Sequence, residues 1–383
     1  MSLFPLVFVS ALLHAYVGWR LVPALPGGAL PAFALGGGLI ASAVLMPLAL
    51  LARRLWQPPW ADRAAWVGAL AMGVFSSLFV LTLLRDVVMF GVVLYAALAP
   101  HAVAGVDALE AWSAAVVPLL ALVISAWGFV NARRTAAVVS VDVPIAGLAA
   151  ALHGFTIAQI SDIHVGPTIK RGYLRRIVDA VNRLDADMVA VTGDLVDGTV
   201  RELAGHVAPL ADLRSRHGTY FVTGNHEYYS GATAWVAELR RLGLSVLMNE
   251  HVVLSHAGAA LVVAGVTDFG AHHFDPAQRS DPAAALAGAP AGGAPRVLLA
   301  HQPRSAEAAE RAGFQLQLSG HTHGGQFLPW NWFVRLQQPF TAGLHRLRSL
   351  WVYTSRGTGY WGPPKRFGAP SEITRLRLVS APA

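Results

Sequence analysis

The first third of the chain constrains the fold most strongly. Up to residue 130 the formally charged side chains are Arg20, Arg53, Arg54, Asp62, Arg63, Arg85, Asp86, Asp107 and Glu110. The apolar stretches between them are long enough to cross a hydrocarbon layer. Four crossings are expected, over residues 3–19, 29–51, 66–90 and 112–130. The third run continues from Trp66 to Ala99 with Arg85 and Asp86 in its middle. As one helix it would be about 50 Å long, so it is expected either to project beyond the bilayer or to break. That charged pair reads either as a functional intramembrane pair or, the safer of the two, as adjacent opposite charges at a helix end near the headgroups, and His14 in the first crossing has no assigned role. The first segment lacks the basic start and small-residue cleavage site of a removable signal, so it reads as an anchor.

Charge sets an expected orientation. Arg53, Arg54 and Arg63 fall between the second and third crossings, and Arg133 and Arg134 follow the fourth, whereas the loop around 100–111 carries Asp107, Glu110 and His101. By the excess of Lys and Arg on the inner side, both basic ends are cytoplasmic, and so is everything after residue 134. The expected domains are therefore a transmembrane helical region over 1–134 and a cytoplasmic domain over 135–383.

A net charge of +7 invites a nucleic-acid reading. The arginines, however, are scattered at membrane boundaries and on presumed helix faces such as Arg171, Arg175, Arg176 and Arg183, with no compact basic run. No nucleic acid is expected as partner; a lipid bilayer is. The absence of cysteine excludes disulfides and thiolate metal sites.

Past residue 135 the pattern becomes α/β. FTIAQIS (155–161), MVAVTG (188–193), TYFVTG (219–224), ALVVAGV (260–266), RVLLAH (296–301) and LQLSGH (316–321) are short apolar runs of the buried-strand kind. Leu174, Ile177, Val178, Val181 and Leu184 recur at helical spacing. A second helix carries Trp235, Val236, Leu239 and Leu242 and stops at Gly243, and a third runs from a Ser305 cap to Gly313. The tract AAALAGAPAGGAP (283–295) reads as a flexible surface loop.

The strand ends carry the chemistry. SDIH (161–164), GDLVDG (193–198), GNHE (224–227), AHQP (300–303) and GHTH (320–323) each place Asp, Asn or His just beyond the carboxyl end of an expected strand, where open α/β sheets build their sites. Asp162, His164, Asp194, Asn225, His301, His321 and His323 supply seven oxygen or nitrogen ligands, and Asp194 has two oxygens with which to bridge two ions. A mixed N/O set without sulfur suits a pair of divalent ions of the Mn, Fe or Zn kind better than an all-oxygen Mg or Ca cage. The glycines at 193, 224, 320, 324 and 325 let backbone and substrate approach closely. His272 and His273, despite nearby Asp268 and Asp275, read as surface residues.

The ordered set of five blocks resembles the calcineurin-like metallophosphoesterase superfamily, with its D-x-H, G-D-x-x-D, G-N-H-[DE], H and G-H-x-H signature. The resemblance covers residue 135 to the end. It implies a sandwich of two mixed β-sheets flanked by helices. It implies further that Asp162, His164, Asp194 and His323 bind one metal, Mn before Fe or Zn, and that Asp194, Asn225, His301 and His321 bind the other. Catalysis would then rest on Asp194 and on His226, whose free imidazole would stand beside the substrate to protonate the leaving group or steady the phosphoryl oxygens. Glu227 and Asp197 are expected to orient ligating histidines or close the loop.

The tail YTSRGTGYWGPPKRFGAPSEI (353–373) resembles a membrane-associated bacterial branch of that superfamily, except that Ser371 separates Pro370 from Glu372. The resemblance implies a multi-pass protein of the bacterial inner membrane, and a phosphodiester or pyrophosphate substrate that is lipid-linked, as with relatives that cleave UDP-diacylglucosamine. Trp330, Trp332, Phe333 and Phe340 either rest at the bilayer interface or pack the sheet edge as ordinary core. Two other substrate readings stay open, a phosphoprotein or a nucleotide at the membrane, and so do two other functions, a non-catalytic membrane sensor or scaffold and a transporter with an attached hydrolase. The helices offer few polar positions with which to line a transport pathway.

Overall fold

The computed structural model describes residues 4–99, 105–290 and 292–381. His101 of the acidic loop lies outside them. Two compact units emerge, the first reaching to Val130 and taking in Gly362–Lys365, the second comprising Asn131–Trp361 and the chain from Arg366 onward.

In the first unit the apolar runs form four helices, α1 (Phe4–Leu21), α2 (Ala29–Leu55), α3 (Trp60–Leu98) and α4 (Val106–Arg133). Each is long and apolar enough to cross a membrane. Of the two expectations for the third run, a break is excluded. α3 is one unbroken helix of 39 residues, about 58 Å at the standard rise. Arg85 and Asp86 correct a second expectation, because they sit within α3 and not at its end. Arg85 is buried, donating to Ser113 Oγ at 2.9 Å and to the Glu110 carbonyl at 3.1 Å. Asp86 accepts from Tyr16 Oη at 2.6 Å and from Arg20 Nε at 2.9 Å. A buried charge survives only with such partners, so these side chains tie α1, α3 and α4 together. His14 is equally satisfied, between the Ser10 carbonyl at 2.7 Å and Ser42 Oγ at 3.0 Å, with its ring stacked on Phe75.

The second unit is a two-sheet sandwich. Its strands are β1 (Ala137–Ile145), β2 (Thr156–Ile160), β3 (Met188–Val191), β4 (Thr219–Phe221), β5 (Ser245–Val246), β6 (Glu250–His256), β7 (Ala259–Gly265), β8 (Arg296–Leu299), β9 (Leu316–Ser319), β10 (Gly343–Leu347), β11 (Leu350–Thr354) and β12 (Glu372–Ser380). One sheet runs β1-β12-β2-β3-β4-β5 and the other β10-β11-β9-β8-β7-β6. Both are mixed: β2 to β5 are mutually parallel, as are β7, β8, β9 and β11, while β12 meets β2, β6 meets β7 and β10 meets β11 antiparallel.

Strands buried on both faces explain the continuous apolar runs. Ile157, Met188 and Ala190 of one sheet meet Leu261, Val263, Val297, Leu299 and Leu316 of the other in the central core. On the outer face of the first sheet, Ile160, Val189, Val191 and Phe221 are covered by α5 (Arg171–Asn182), α6 (Val200–Val207) and α8 (Ala232–Arg241), which follow the short α7 (Asn225–Ser230) or precede it. α5 turns Leu174, Ile177, Val178 and Val181 inward and leaves Arg171 and Arg176 exposed, as its periodicity predicts. The second sheet is covered outside by α9 (Ala306–Arg311).

One local expectation needs correcting and another refining. Ser305 precedes α9 but its hydroxyl makes no cap, because it already belongs to the helical turn Pro303–Ser305 that runs into the helix. The tract 283–295, expected as a flexible surface loop, is anchored at one point: Ala284–Leu286 form a helical turn, with Ala285 fully buried and its carbonyl bonded to His251 Nδ1.

Candidate metal centre

Topology brings the five blocks together. Asp162 and His164 follow β2, Asp194 follows β3 and Asn225 follows β4, while His301 follows β8 and His321 and His323 follow β9. The carboxyl ends of three neighbouring strands in one sheet thus face those of two in the other. Asp162 ties the edges, its carboxylate accepting from the His321 backbone amide at 2.9 and 3.1 Å.

The backbone works against its own preference to do this. Asp162, His164, Asp194, His321 and His323 all have positive φ, between 51° and 70°. Such residues cost about 1–3 kcal/mol each and persist where the surroundings over-determine them, characteristically at functional sites.

Three overlapping groups result: Asp162, His164 and His323; His164, Asp194 and His226; Asp194, His301 and His321. His164 Nε2 lies 3.0 Å from His323 Nε2, and His323 Nε2 lies 3.5 Å from Asp162 Oδ1. On the other side, His301 Nε2 is 3.1 Å from Asp194 Oδ2 and 3.2 Å from His321 Nδ1. Asp194 is shared between the second and third groups, with His164 Nε2 and His226 Nε2 each 3.9 Å from Oδ2. Asn225 begins α7, and its Oδ1 is buried without a hydrogen-bond partner. A buried carbonyl oxygen left in that state costs about 1–3 kcal/mol unless something electropositive meets it. The donor set, neutral imidazole, carboxylate and amide oxygen, fits divalent ions of the first transition row.

Electrostatics follow from burial and proximity. Burial, together with the neighbouring charge of His301, drives the His321 imidazole down to about 3, and burial with the Arg366 guanidinium holds His323 well below its ordinary value. Both are therefore neutral, the form a ligand requires. Burial raises Asp162, whereas Asp194 is held well below the carboxylate range, because the attraction of His301 outweighs its desolvation. For His301 burial opposes charge, but the Asp194 carboxylate overcomes it and raises that imidazole.

Residues around the groups hold them in place. Asp197 Oδ1 accepts from both His226 Nδ1 at 2.6 Å and His164 Nδ1 at 3.2 Å. One nitrogen of His226 is thus committed to Asp197 and Nε2 faces the groups. Glu227 is fully buried and accepts from the backbone amides of Gly224, Asp194 and Leu195 at 2.7, 3.0 and 2.8 Å, closing the loop. Burial and the charge of Asp194 push its carboxyl up to about 7. His301 Nδ1 donates to the Thr192 carbonyl at 2.7 Å, which turns Nε2 toward Asp194. A Cβ on Gly224 would collide with Asp194 Oδ1, so only glycine fits there, just before α7.

Sequence reasoning missed Arg366. Fully buried, it donates to the carbonyls of His323 and Arg356 at 2.9 and 2.7 Å and lies 3.0 Å from His323 Nδ1. Nothing in its local sequence marks it apart from other arginines. The R-G-x-G turn of the tail packs directly on the first block, with Gly359 N bonded to the Asp162 carbonyl at 3.1 Å and no room for a Cβ beside the Ile163 carbonyl. Glu372 anchors that turn through Arg356 and Tyr353. His272 and His273 join none of the three groups.

Residues 155–325 match the model of the calcineurin-like phosphoesterase family, a span containing all five blocks. A 32% identical metallophosphoesterase of Aquifex aeolicus is matched over 84% of its length and 58% of this chain. The chain belongs to the metallophosphoesterases. It is also 42% identical over 276 residues to a bovine transmembrane protein with metallophosphoesterase domain, covering 69% of this chain and 62% of the bovine one. A metallophosphoesterase of Helicobacter pylori is 39% identical over 58% of this chain and 59% of its own length. The chain thus spans less than two thirds of these two relatives, which are eukaryotic as well as bacterial.

Proposed function

We propose that the chain is a membrane-anchored phosphoesterase that hydrolyses a phosphodiester or pyrophosphate bond with two divalent ions. In this reading Asp162, His164, Asp194 and His323 hold one ion, and Asp194, Asn225, His301 and His321 hold the other. The observation that carries it is Asp194, the carboxylate common to two of the three groups, with the unpartnered Asn225 oxygen at the start of α7. A pair of such ions supplies Lewis acidity and a water acidified toward neutral pH.

The chain's own residues do the rest. His226, whose burial is outweighed by Asp197 and Asp194 so that its proton is held more tightly, is the group that delivers a proton from Nε2 to the departing oxygen. Asp197 fixes the ring orientation for that transfer. The intact set of seven ligand residues argues against the non-catalytic scaffold reading, since a decayed domain is expected to lose ligands.

We assign the ions to Mn before Fe or Zn, the catalytic domain to the cytoplasmic side, and the substrate to the lipid-linked class, of which UDP-diacylglucosamine is an example. Three of the four aromatics proposed for the interface support the last point: Trp330, Trp332 and Phe333, on and around α10 (Trp330–Val334), are exposed, while Phe340 packs against the second sheet's outer core. The test is metal analysis of the purified chain followed by turnover of an aryl phosphodiester and a lipid pyrophosphate, with Mn and with chelator. Chelator-insensitive turnover, or two ions bound with no hydrolysis of any phosphoester, contradicts the reading.

A further inference from the structure

Two large aromatic side chains stand exposed beside His226, and a third, packed on Tyr228 and Tyr229, continues their row. The ring of Tyr229 meets the His226 imidazole edge-on at 5.3 Å between centroids, and that of Trp361 meets it at 5.6 Å with planes at 73°. Phe274 extends the row, 5.6 Å from Tyr229. Each is more than half exposed. Exposed aromatics in such a group lose free energy to water and mark a binding surface where they persist.

Trp361 is held there by design of the metal loop. Gln326, buried and one residue past the glycines that follow His323, accepts from Trp361 N at 2.8 Å and donates through Nε2 to the Trp361 carbonyl at 2.8 Å. Gln326 itself sits at φ 58°, with its amide bonded to the His323 carbonyl at 2.9 Å. The side-chain amide thus imitates a paired strand and fixes the Trp361 peptide relative to the metal ligands. Trp361 and Tyr229 approach from two different segments, and His226 lies between them.

Resting on the phosphoesterase reading above, we infer that Trp361, Tyr229 and Phe274 form a subsite for a planar ring on the departing side of the substrate, an aryl group or a nucleobase. The oxygen served by His226 carries its substituent away from the carboxylates and imidazoles, and these rings are the surface it meets. In the reaction the P–O bond to the ring-bearing group breaks as a P–O bond to water forms. The departing oxygen takes a proton, and one water is consumed. A flat ring stacks on Trp361 without a sequence of hydrogen bonds to read it, so the subsite selects ring over chain and not one base over another.

The test uses phosphonates, whose P–C bond resists hydrolysis, titrated calorimetrically into the metal-loaded full chain in nanodiscs. Methylphosphonate, butylphosphonate, phenylphosphonate and a nucleoside 5′-phosphonate are compared. The two ring compounds are expected to bind at least about fivefold tighter than methylphosphonate, with butylphosphonate close to methyl, given the usual strength of stacking on an aromatic side chain. Trp361→Ala, which keeps the backbone clamp to Gln326, removes most of that ring advantage while metal content and methylphosphonate affinity stay unchanged. Tyr229→Ala removes part of it. A nucleoside compound tighter than phenyl assigns the subsite to nucleotides, and equality assigns it to rings in general. Butylphosphonate binding as tightly as phenylphosphonate, or a Trp361→Ala chain with its ring preference intact, overturns the subsite. Failure of methylphosphonate itself to bind the metal-loaded chain overturns the metal-site reading as well.

Discussion

His226 Nδ1 stands 2.6 Å from Asp197 Oδ1, and the same oxygen takes His164 Nδ1 at 3.2 Å. One carboxylate therefore orients a ring assigned to the metal and a ring assigned to the proton transfer. Asp197 is held below the usual carboxylate range although buried, because the two histidines outweigh its desolvation.

Replacing Asp197 with Asn should lower kcat by about 10–100-fold, the usual effect of losing a carboxylate behind a ligating histidine. The pH profile gives a sharper readout. His226 acts while protonated, so activity falls as pH rises through its pKa, which the Asp197 and Asp194 carboxylates raise. Removing the Asp197 charge lowers that value, and the basic limb of the kcat profile should move toward neutral pH. A profile unmoved by Asp197→Asn contradicts the assigned role of His226.

Metal loading should depend on pH through His301. This imidazole is raised above 6.5 by Asp194, at 3.1 Å, and its Nε2 must lose the proton before it can bind an ion. Affinity therefore rises with pH and levels off only above the raised value; on acidification it is lost well before an ordinary histidine would protonate. Titrating Mn into chelator-treated protein at pH 6, 7 and 8 checks this, and a pH-independent affinity contradicts it.

Asn225→Ala should lower the bound metal from about two ions per chain toward one, since it removes a single neutral oxygen from one of the two proposed sites. The buried Oδ1 has no other partner whose loss would unfold the region. Elemental analysis together with the thermal midpoint checks it: an unchanged metal content with a lowered midpoint would make Asn225 structural.

The strand ends were legible because their residue types are useless to a core. Asp162, His164 and Asp194 follow fully buried strands, where only a shared cation or a dense hydrogen-bond network makes such groups tolerable. The two-sheet order was not readable from periodicity, since β2, β3, β8 and β9 are buried on both faces and carry no alternation that tells one sheet from another. Arg366 and Gln326 were invisible for a different reason. Their roles come from contacts with His323 and Trp361 made through tertiary placement, 43 and 35 residues apart in sequence. Arg85 and Asp86 were misplaced at a helix end because their partners Arg20, Tyr16 and Glu110 lie on other helices.

The apolar segment after the last metal block gives the remaining prediction. Leu328, Trp332, Phe333 and Leu336 are exposed, Leu336 at 82%, in a chain whose first unit has four helices apt for a bilayer. Short stretches of Trp, Phe and Leu of this kind sink into the boundary between headgroups and acyl chains. Because the chain has no cysteine, Leu336→Cys provides a single labelling site in the full-length protein. A nitroxide there, in protein reconstituted with anionic lipid, should relax faster with oxygen than with a water-soluble nickel chelate. A control label at the exposed Arg183→Cys should show the reverse. Protection from both agents with spin–spin broadening would mean a second copy of the chain covers the segment, and aqueous behaviour equal to the control would mean that it meets no membrane. Trp332→Ser with Phe333→Ser should then slow turnover of a lipid pyrophosphate in vesicles and leave a soluble aryl diester unaffected. Equal loss on both substrates would place these aromatics in the fold of the metal loop instead of at the lipid surface.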